Sequence, residues 1–183
     1  MPLVVQETPL SGLLRVQPQV FGDARGFFLE LFNVQAFQQA GLDDYRWVQD
    51  NLSRSVQGTV RGLHFQAPPH AQAKLVCCLE GQVKDVVVDI RRNSPTYGQA
   101  YAEVLDSTQM NMLLIPEGFA HGFSVLSPHC LFFYKCTHYY HKASEGGLAW
   151  DDPALSIDWG VQQPILSDKD RQNPSLAAFS SPF

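Results

Sequence analysis

A basic excess, long apolar runs and paired cysteine spacings are all missing from this 183-residue chain. Each absence removes a class of protein. Lys and Arg total 13 against 18 Asp and Glu, a formal charge of -5, so the footprint of a nucleic-acid binder is absent. Such a chain still binds an anion where a few Arg and Lys converge, because the field in a cleft is local. No stretch approaches the roughly 20 apolar residues of a membrane helix. The opening MPLVVQETPLSGLL lacks the basic and apolar regions of a signal peptide, so the expected location is the cytoplasm. Cys77, Cys78, Cys130 and Cys136 form no CxxC pair. Adjacent Cys77 and Cys78 lie in an apolar run, which predicts buried free thiols rather than a zinc site. There is no repeat, low-complexity tract or linker, so a single domain over residues 1–183 is expected.

What is present reads as short strands broken by turns. The clearest is Val83 to Ile90, rich in valine, which sets Asp85 and Asp89 on one face. Further strands are expected at 26–32, 60–65, 74–79, 101–105, 112–115, 122–126 and 131–135, with a hairpin turn at Glu80-Gly81. One helix is predicted from Val34 to Ala40, capped by Asn33 and ended by Gly41. A second, short one is expected near 167–172. Trp150, Trp159, Ile165 and Leu166 should fold the tail back onto the strands. The pattern favours an all-β sandwich or barrel. Strands carrying Phe, Tyr, His and Arg suggest a mouth that holds a ligand.

Three clusters carry chemistry. In Arg61-Gly62-Leu63-His64-Phe65-Gln66, strict alternation puts Arg61 opposite in facing to His64 unless a bulge intervenes. His64 in a lumen suits a general base, although a satisfied core histidine is commoner. Lys74 follows ten residues on, expected within a short hairpin of His64. The run Pro116-Glu117-Gly118-Phe119-Ala120-His121 resembles the second metal motif of cupins. The usual H-x-H pair and following glutamate are absent, so about three metal ligands cannot be assembled, and a metal-free barrel is expected. In Phe132-Phe133-Tyr134-Lys135, Tyr134 is a candidate acid or a core aromatic. Tyr139 and Tyr140 could stack on a flat base or simply pack. Arg25, Glu30, the run Gln49-Asp50-Asn51, Asp168 and Asp170 recur near turns, where polar residues are routine.

A base, a phenol, a lysine and arginines suit proton transfer beside a carbonyl. The enolate formed needs a preorganised cation or donor. Hydrolysis would need a nucleophile, and neither a G-x-S-x-G elbow nor a Cys-His signature is found.

Taken in order, FGDARGFFLE, QDNLSRS, RGLHFQ, KLV, DVVVDIRRNSPTYG, IPEGFAHGF, FYKCTHYY and LSDKD resemble the dTDP-4-dehydrorhamnose 3,5-epimerase family, from about Val20 to Arg171. The resemblance implies a dimeric, cupin-like jelly roll without metal or other cofactor. It implies dTDP-4-dehydro-6-deoxy-D-glucose as substrate, converted to the 4-dehydro-L-rhamnose nucleotide. By matching, His64 is the base, Asp170 its supporting carboxylate, Tyr134 the acid and Lys74 the neighbour of the C4 oxygen. Arg25, Glu30, Gln49, Asp50, Asn51, Arg61, His121, Glu145 and Lys169 should line the site, with Tyr140 stacked on thymine. Arginine forks suit the pyrophosphate. Some nucleotide contacts are expected from the partner subunit.

Leu52, Ala73 and His141-Lys142 depart from the family's usual residues; none is the expected acid or base. The alternatives are an epimerase acting at C3 or C5 alone, a metal-dependent cupin and a non-catalytic sugar-binding jelly roll.

Overall fold

A computed structural model describes residues 3–183. Its centre is β8 (Gln82–Asp89), whose valines are buried on both faces. Val83 and Val87 point into the interior, whereas Val86 and Val88 point outward under a second apolar layer. That double burial explains a near-continuous valine run in an antiparallel strand.

Two sheets face one another. One has five strands, in the order β13 (Glu145–Gly147), β6 (Val60–Gln66), β11 (Phe119–Val125), β8 and β9 (Ala100–Asp106). The other has six, ordered β1 (Leu3–Glu7), β2 (Leu14–Pro18), β10 (Met112–Ile115), β7 (Lys74–Glu80), β12 (His129–Cys136) and β5 (Gln49–Val56). All ladders within these two sheets are antiparallel. This is a jelly roll. Between the sheets, Val76, Leu113, Phe132, Phe123, Val87 and Leu105 make the main core. Phe123 and Phe132 stack across the gap with centroids 4.1 Å apart.

Each outer face has a cover. Over the five-stranded sheet lie Leu148, Leu155, Trp159, Phe179 and Phe183, so the tail does pack back. Ile165 is the exception: its side chain is exposed while its backbone bridges to Thr59. Over the six-stranded sheet, helix α1 (Val34–Gln39) contributes Phe37. Asn33 caps it by accepting from the backbone of Gln35 and Ala36. The second expected helix is a single 3-10 turn, Asp170–Gln172. All four cysteines are buried free thiols.

The Glu80-Gly81 turn corrects the sequence expectation. β7 and β8 do not pair; they belong to different sheets, so this turn is a corner where the chain crosses the sandwich. The link from His64 to Lys74 is likewise no hairpin, because β6 and β7 lie in opposite sheets. The expected strand at 26–32 ends early: β4 (Gly26–Phe28) pairs only with β3 (Phe21–Asp23) in a separate exposed ribbon.

Candidate active site

The interior is divided. At one end it holds Leu, Val and Phe; at the other, inward positions of the same strands are polar. From β5 come Gln49, Asn51 and Ser53, from β7 Lys74, and from β12 Tyr134 and Cys136. The opposite sheet supplies His64 and Gln66 from β6 and His121 from β11. Two adjoining cavities of about 230 and 370 Å³ open there. His64, Lys74 and Tyr134 line both, so they stand at the junction.

A bulge sets the facing of β6. His121 pairs with His64, but Phe123 pairs with Arg61, so three steps on β6 match two on β11. The extra residue turns Arg61 to the same cavity as His64 and leaves Leu63 in the outer apolar layer. The strands approach closely here: a Cβ on Gly62 would lie 2.5 Å from the Gly122 Cα, and Gly62 has φ +128°. Only glycine meets both demands.

Asp170 arrives from the tail turn. Its Oδ1 lies 2.5 Å from His64 Nε2. An ionised carboxylate only accepts, so Nε2 carries the proton and Nδ1 is left as the basic nitrogen. Burial pushes the Asp170 carboxyl up, but the hydrogen bond and charge interaction with His64, with Ser167 and Lys169, bring it below its ordinary range. A second pair stands beside the first: His121 Nε2 lies 2.8 Å from Asp85 Oδ2. Burial lowers the His121 pKa and raises that of Asp85, and their mutual attraction offsets only part of this. His121 is therefore held neutral. Asp89, expected on the same face as Asp85, is committed elsewhere, bound by Arg91, Ser94 and Thr96.

Across the cavity, burial raises the Tyr134 phenol, keeping it protonated as an acid must be. Burial lowers the Lys74 ammonium, against the pull of Cys136, Asp85 and Glu145. His64 and Tyr134 thus face each other from opposite sheets.

The larger cavity carries a polar chain. The Tyr140 hydroxyl donates to Glu145 at 2.9 Å, and Glu145 is also ion-paired with Lys169. The Tyr140 backbone donates to Gln49 (3.0 Å), which donates to Asn51 (2.9 Å). The Tyr140 side chain is 56% exposed, its ring open to a ligand.

Three expected residues lie outside both cavities. Arg25 sits on the exposed β3–β4 ribbon, paired with Asp23. Glu30 accepts from Asn33. Asp50 points to the outer face of β5 and pairs with Lys135 at 2.6 Å. Asp168 lines neither cavity, although its neighbours Ser167 and Lys169 line the smaller one. Conversely, Ser53, Gln66, Gln72 and Cys136 line the site unanticipated. For Ser53, the alternation of QDNLSRS was the available signal. Arg61 is steadied by Ser55, whose hydroxyl accepts from Nε at 3.0 Å. Among the described residues no cluster of three His, Cys, Asp or Glu is arranged to hold a metal ion.

A sequence profile of dTDP-4-dehydrorhamnose 3,5-epimerase matches residues 7–178. The chain belongs to that family. A 3,5-epimerase of Shigella flexneri is 49% identical over 166 residues, 91% of this chain and 92% of the relative. The crystal structure of a dTDP-6-deoxy-D-glucose-3,5-epimerase from Legionella pneumophila, in complex with dTDP-4-keto-L-rhamnose, is 43% identical. It superposes with a TM-score of 0.93 over 97% of this chain and 95% of that one. A dTDP-4-dehydrorhamnose 3-epimerase of Streptomyces niveus is 40% identical over 168 residues, 92% of this chain and 81% of the relative. As a family member, the chain is an isomerase on the jelly-roll scaffold expected from its motifs.

Proposed function

We propose that the protein inverts C3 and C5 of dTDP-4-dehydro-6-deoxy-D-glucose, giving dTDP-4-dehydro-L-rhamnose. The observation that carries this reading is the opposition of His64 on one sheet to Tyr134 and Lys74 on the other. Inversion needs a proton removed from one face of the ring and returned to the other.

The steps balance without redox change. His64 Nδ1 takes the proton from the carbon beside the ketone, and the C–H electrons move to the C4 oxygen. The Lys74 ammonium stabilises that enolate. The Tyr134 hydroxyl then gives its proton to the opposite face, and solvent resets both groups. The same pair serves the second carbon. Asp170 fixes the tautomer of His64 and supports its positive charge. Neither a metal nor a cofactor is assigned a step.

The smaller cavity, with Arg61, His121 and Lys169, suits the sugar. The larger, with Gln49, Asn51, Tyr140 and Glu145, suits the nucleotide, its base stacked on Tyr140. We assign Arg25, Glu30 and Asp50 to contacts completed in a homodimer. The exposed β3–β4 ribbon, with Phe27 58% and Phe28 65% exposed, is a natural arm for reaching a partner's site. The chain acts as one domain, in the cytoplasm, within L-rhamnose formation for polysaccharide.

The test is NMR of the substrate with enzyme in D2O. Deuterium at C3 and C5 with the L-lyxo product supports the double epimerase. Deuterium at C3 alone moves the assignment to a 3-epimerase, the activity named for the Streptomyces niveus relative. No exchange at either carbon overturns the mechanism.

A further inference from the structure

Gln66 ends β6, two residues beyond His64, and only 4% of it is exposed. Its amide reaches three backbone groups on two other segments. Nε2 donates to the His70 carbonyl at 2.6 Å and to the Tyr139 carbonyl at 3.3 Å. Oε1 accepts from the His141 N–H at 2.7 Å. The first partner belongs to the 67–73 segment that leads into Lys74. The other two flank Tyr140. Gln72 reinforces the join by donating to the His138 carbonyl at 2.7 Å.

An amide offers two donors and an acceptor, and here all three are used. A carboxylate of the same shape could not donate to two carbonyls, and an apolar side chain would strip the His70 carbonyl and the His141 N–H of their partner and leave the Tyr139 carbonyl to His138 Nδ1 alone. Glutamine is therefore specified by the geometry, not merely tolerated. Tyr139 and Tyr140 are otherwise largely exposed, on a segment with no strand partner. This amide, with Gln49 and Gln72, ties it to the core beside the Thr137–Ala73 hydrogen bonds and the His141 ring stacked on His70.

We propose that Gln66 is the positioning residue of the nucleotide end of the site. It holds the Tyr140 segment at a fixed place relative to the strand that carries the base. This rests on the sugar-nucleotide reading above. Gln66 works through Tyr140 rather than on the reacting carbons, so its loss should weaken binding more than chemistry.

The experiment uses the full-length enzyme, with dTDP binding by calorimetry and turnover of the 4-keto sugar nucleotide measured in parallel. For Gln66→Met, Kd for dTDP and KM should each rise about tenfold or more, while kcat stays within about threefold, as expected for lost uniform binding. Unchanged Kd, or a fall in kcat at unchanged KM, overturns the proposal. Gln66→Glu supplies a second reading should the methionine variant fail to fold. Protonation restores one donor, so its dTDP affinity should recover as the pH falls below neutrality, relative to wild type under the same conditions. That control accounts for the nearby His70, His138, His141 and Glu145. Absence of recovery also overturns it. If wild type binds dTDP yet does not turn over the sugar nucleotide, the reaction assignment fails while the Gln66 binding test still stands.

Discussion

His64 and Asp170 meet through Nε2 and Oδ1 at 2.5 Å, although 106 positions separate them in the chain. The imidazole comes from a central strand and the carboxylate from a turn of the tail. Replacing His64 by Ala should lower kcat by about 100- to 10,000-fold, the range of general acid–base groups, with dTDP binding retained by calorimetry. Asp170→Asn should lower kcat in the same direction by less. Normal turnover in a clean His64→Ala preparation would remove the base assignment.

Tyr134→Phe keeps the ring and its packing against Phe132 but removes the acid. Net turnover should fall, whereas His64-driven solvent exchange at one carbon should persist. Deuterium uptake by NMR separates the two. Full activity with the normal product would place the acid elsewhere.

Burial holds the Lys74 ammonium below its ordinary value, and the enolate needs that ammonium charged. Activity should therefore decline as the pH rises through the lowered lysine value, below the usual 10.5 or so. Tyr134 is shifted upward and does not account for such a limb. In Lys74→Arg, which stays charged, residual activity should lose that decline. An alkaline limb that persists unchanged in the arginine variant would sink the assignment.

Gly62 tolerates no side chain, because its Cβ would sit 2.5 Å from the Gly122 Cα at a backbone angle that L residues rarely adopt. Gly62→Ala should cost about 3 kcal/mol and lower Tm by roughly 6–12 °C. A wild-type melting curve would mean that β6 and β11 separate more easily than their register implies.

If the β3–β4 ribbon serves a partner's site, Arg25→Ala and His64→Ala should each be impaired alone. Mixed after co-refolding, they should regain activity from heterodimers carrying one intact site. No recovery in the mixture would confine Arg25 to its own chain or to no role.

Where burial and alternation agree, the sequence already spelled out the strands. β8, β10 and β12 fall within two residues of expectation, since valine, leucine and aromatics both favour strands and fill the core. β5 read as a turn because Gln49, Asp50, Asn51 and Ser53 have poor strand propensity. All four are nevertheless residues of an edge strand, where Gln49, Asn51 and Ser53 form a polar cavity wall and Asp50 faces outward. β1 and β2 went unread, their alternation being short and interrupted by Gln and Pro. The crossover at Glu80-Gly81 was invisible because a turn residue says that the chain bends, not which sheet it enters next. His64, Lys74 and Tyr134, which converge on one cavity, were legible through ordered motifs. Gln66 was not, since its worth lies in backbone groups that side-chain identity does not announce.

The separation between His64 and Asp170 also bears on how a growing chain comes to life. The strand bearing the imidazole is synthesised early, and its neighbours β8 and β11 follow well before the tail. A ribosome-bound chain can thus close much of its sandwich while the histidine has no carboxylate behind it. The pair forms only once the turn at Asp170–Gln172 has emerged and docked. On the mechanism proposed above, catalytic competence is then a late event of biogenesis, reached after most of the scaffold is made.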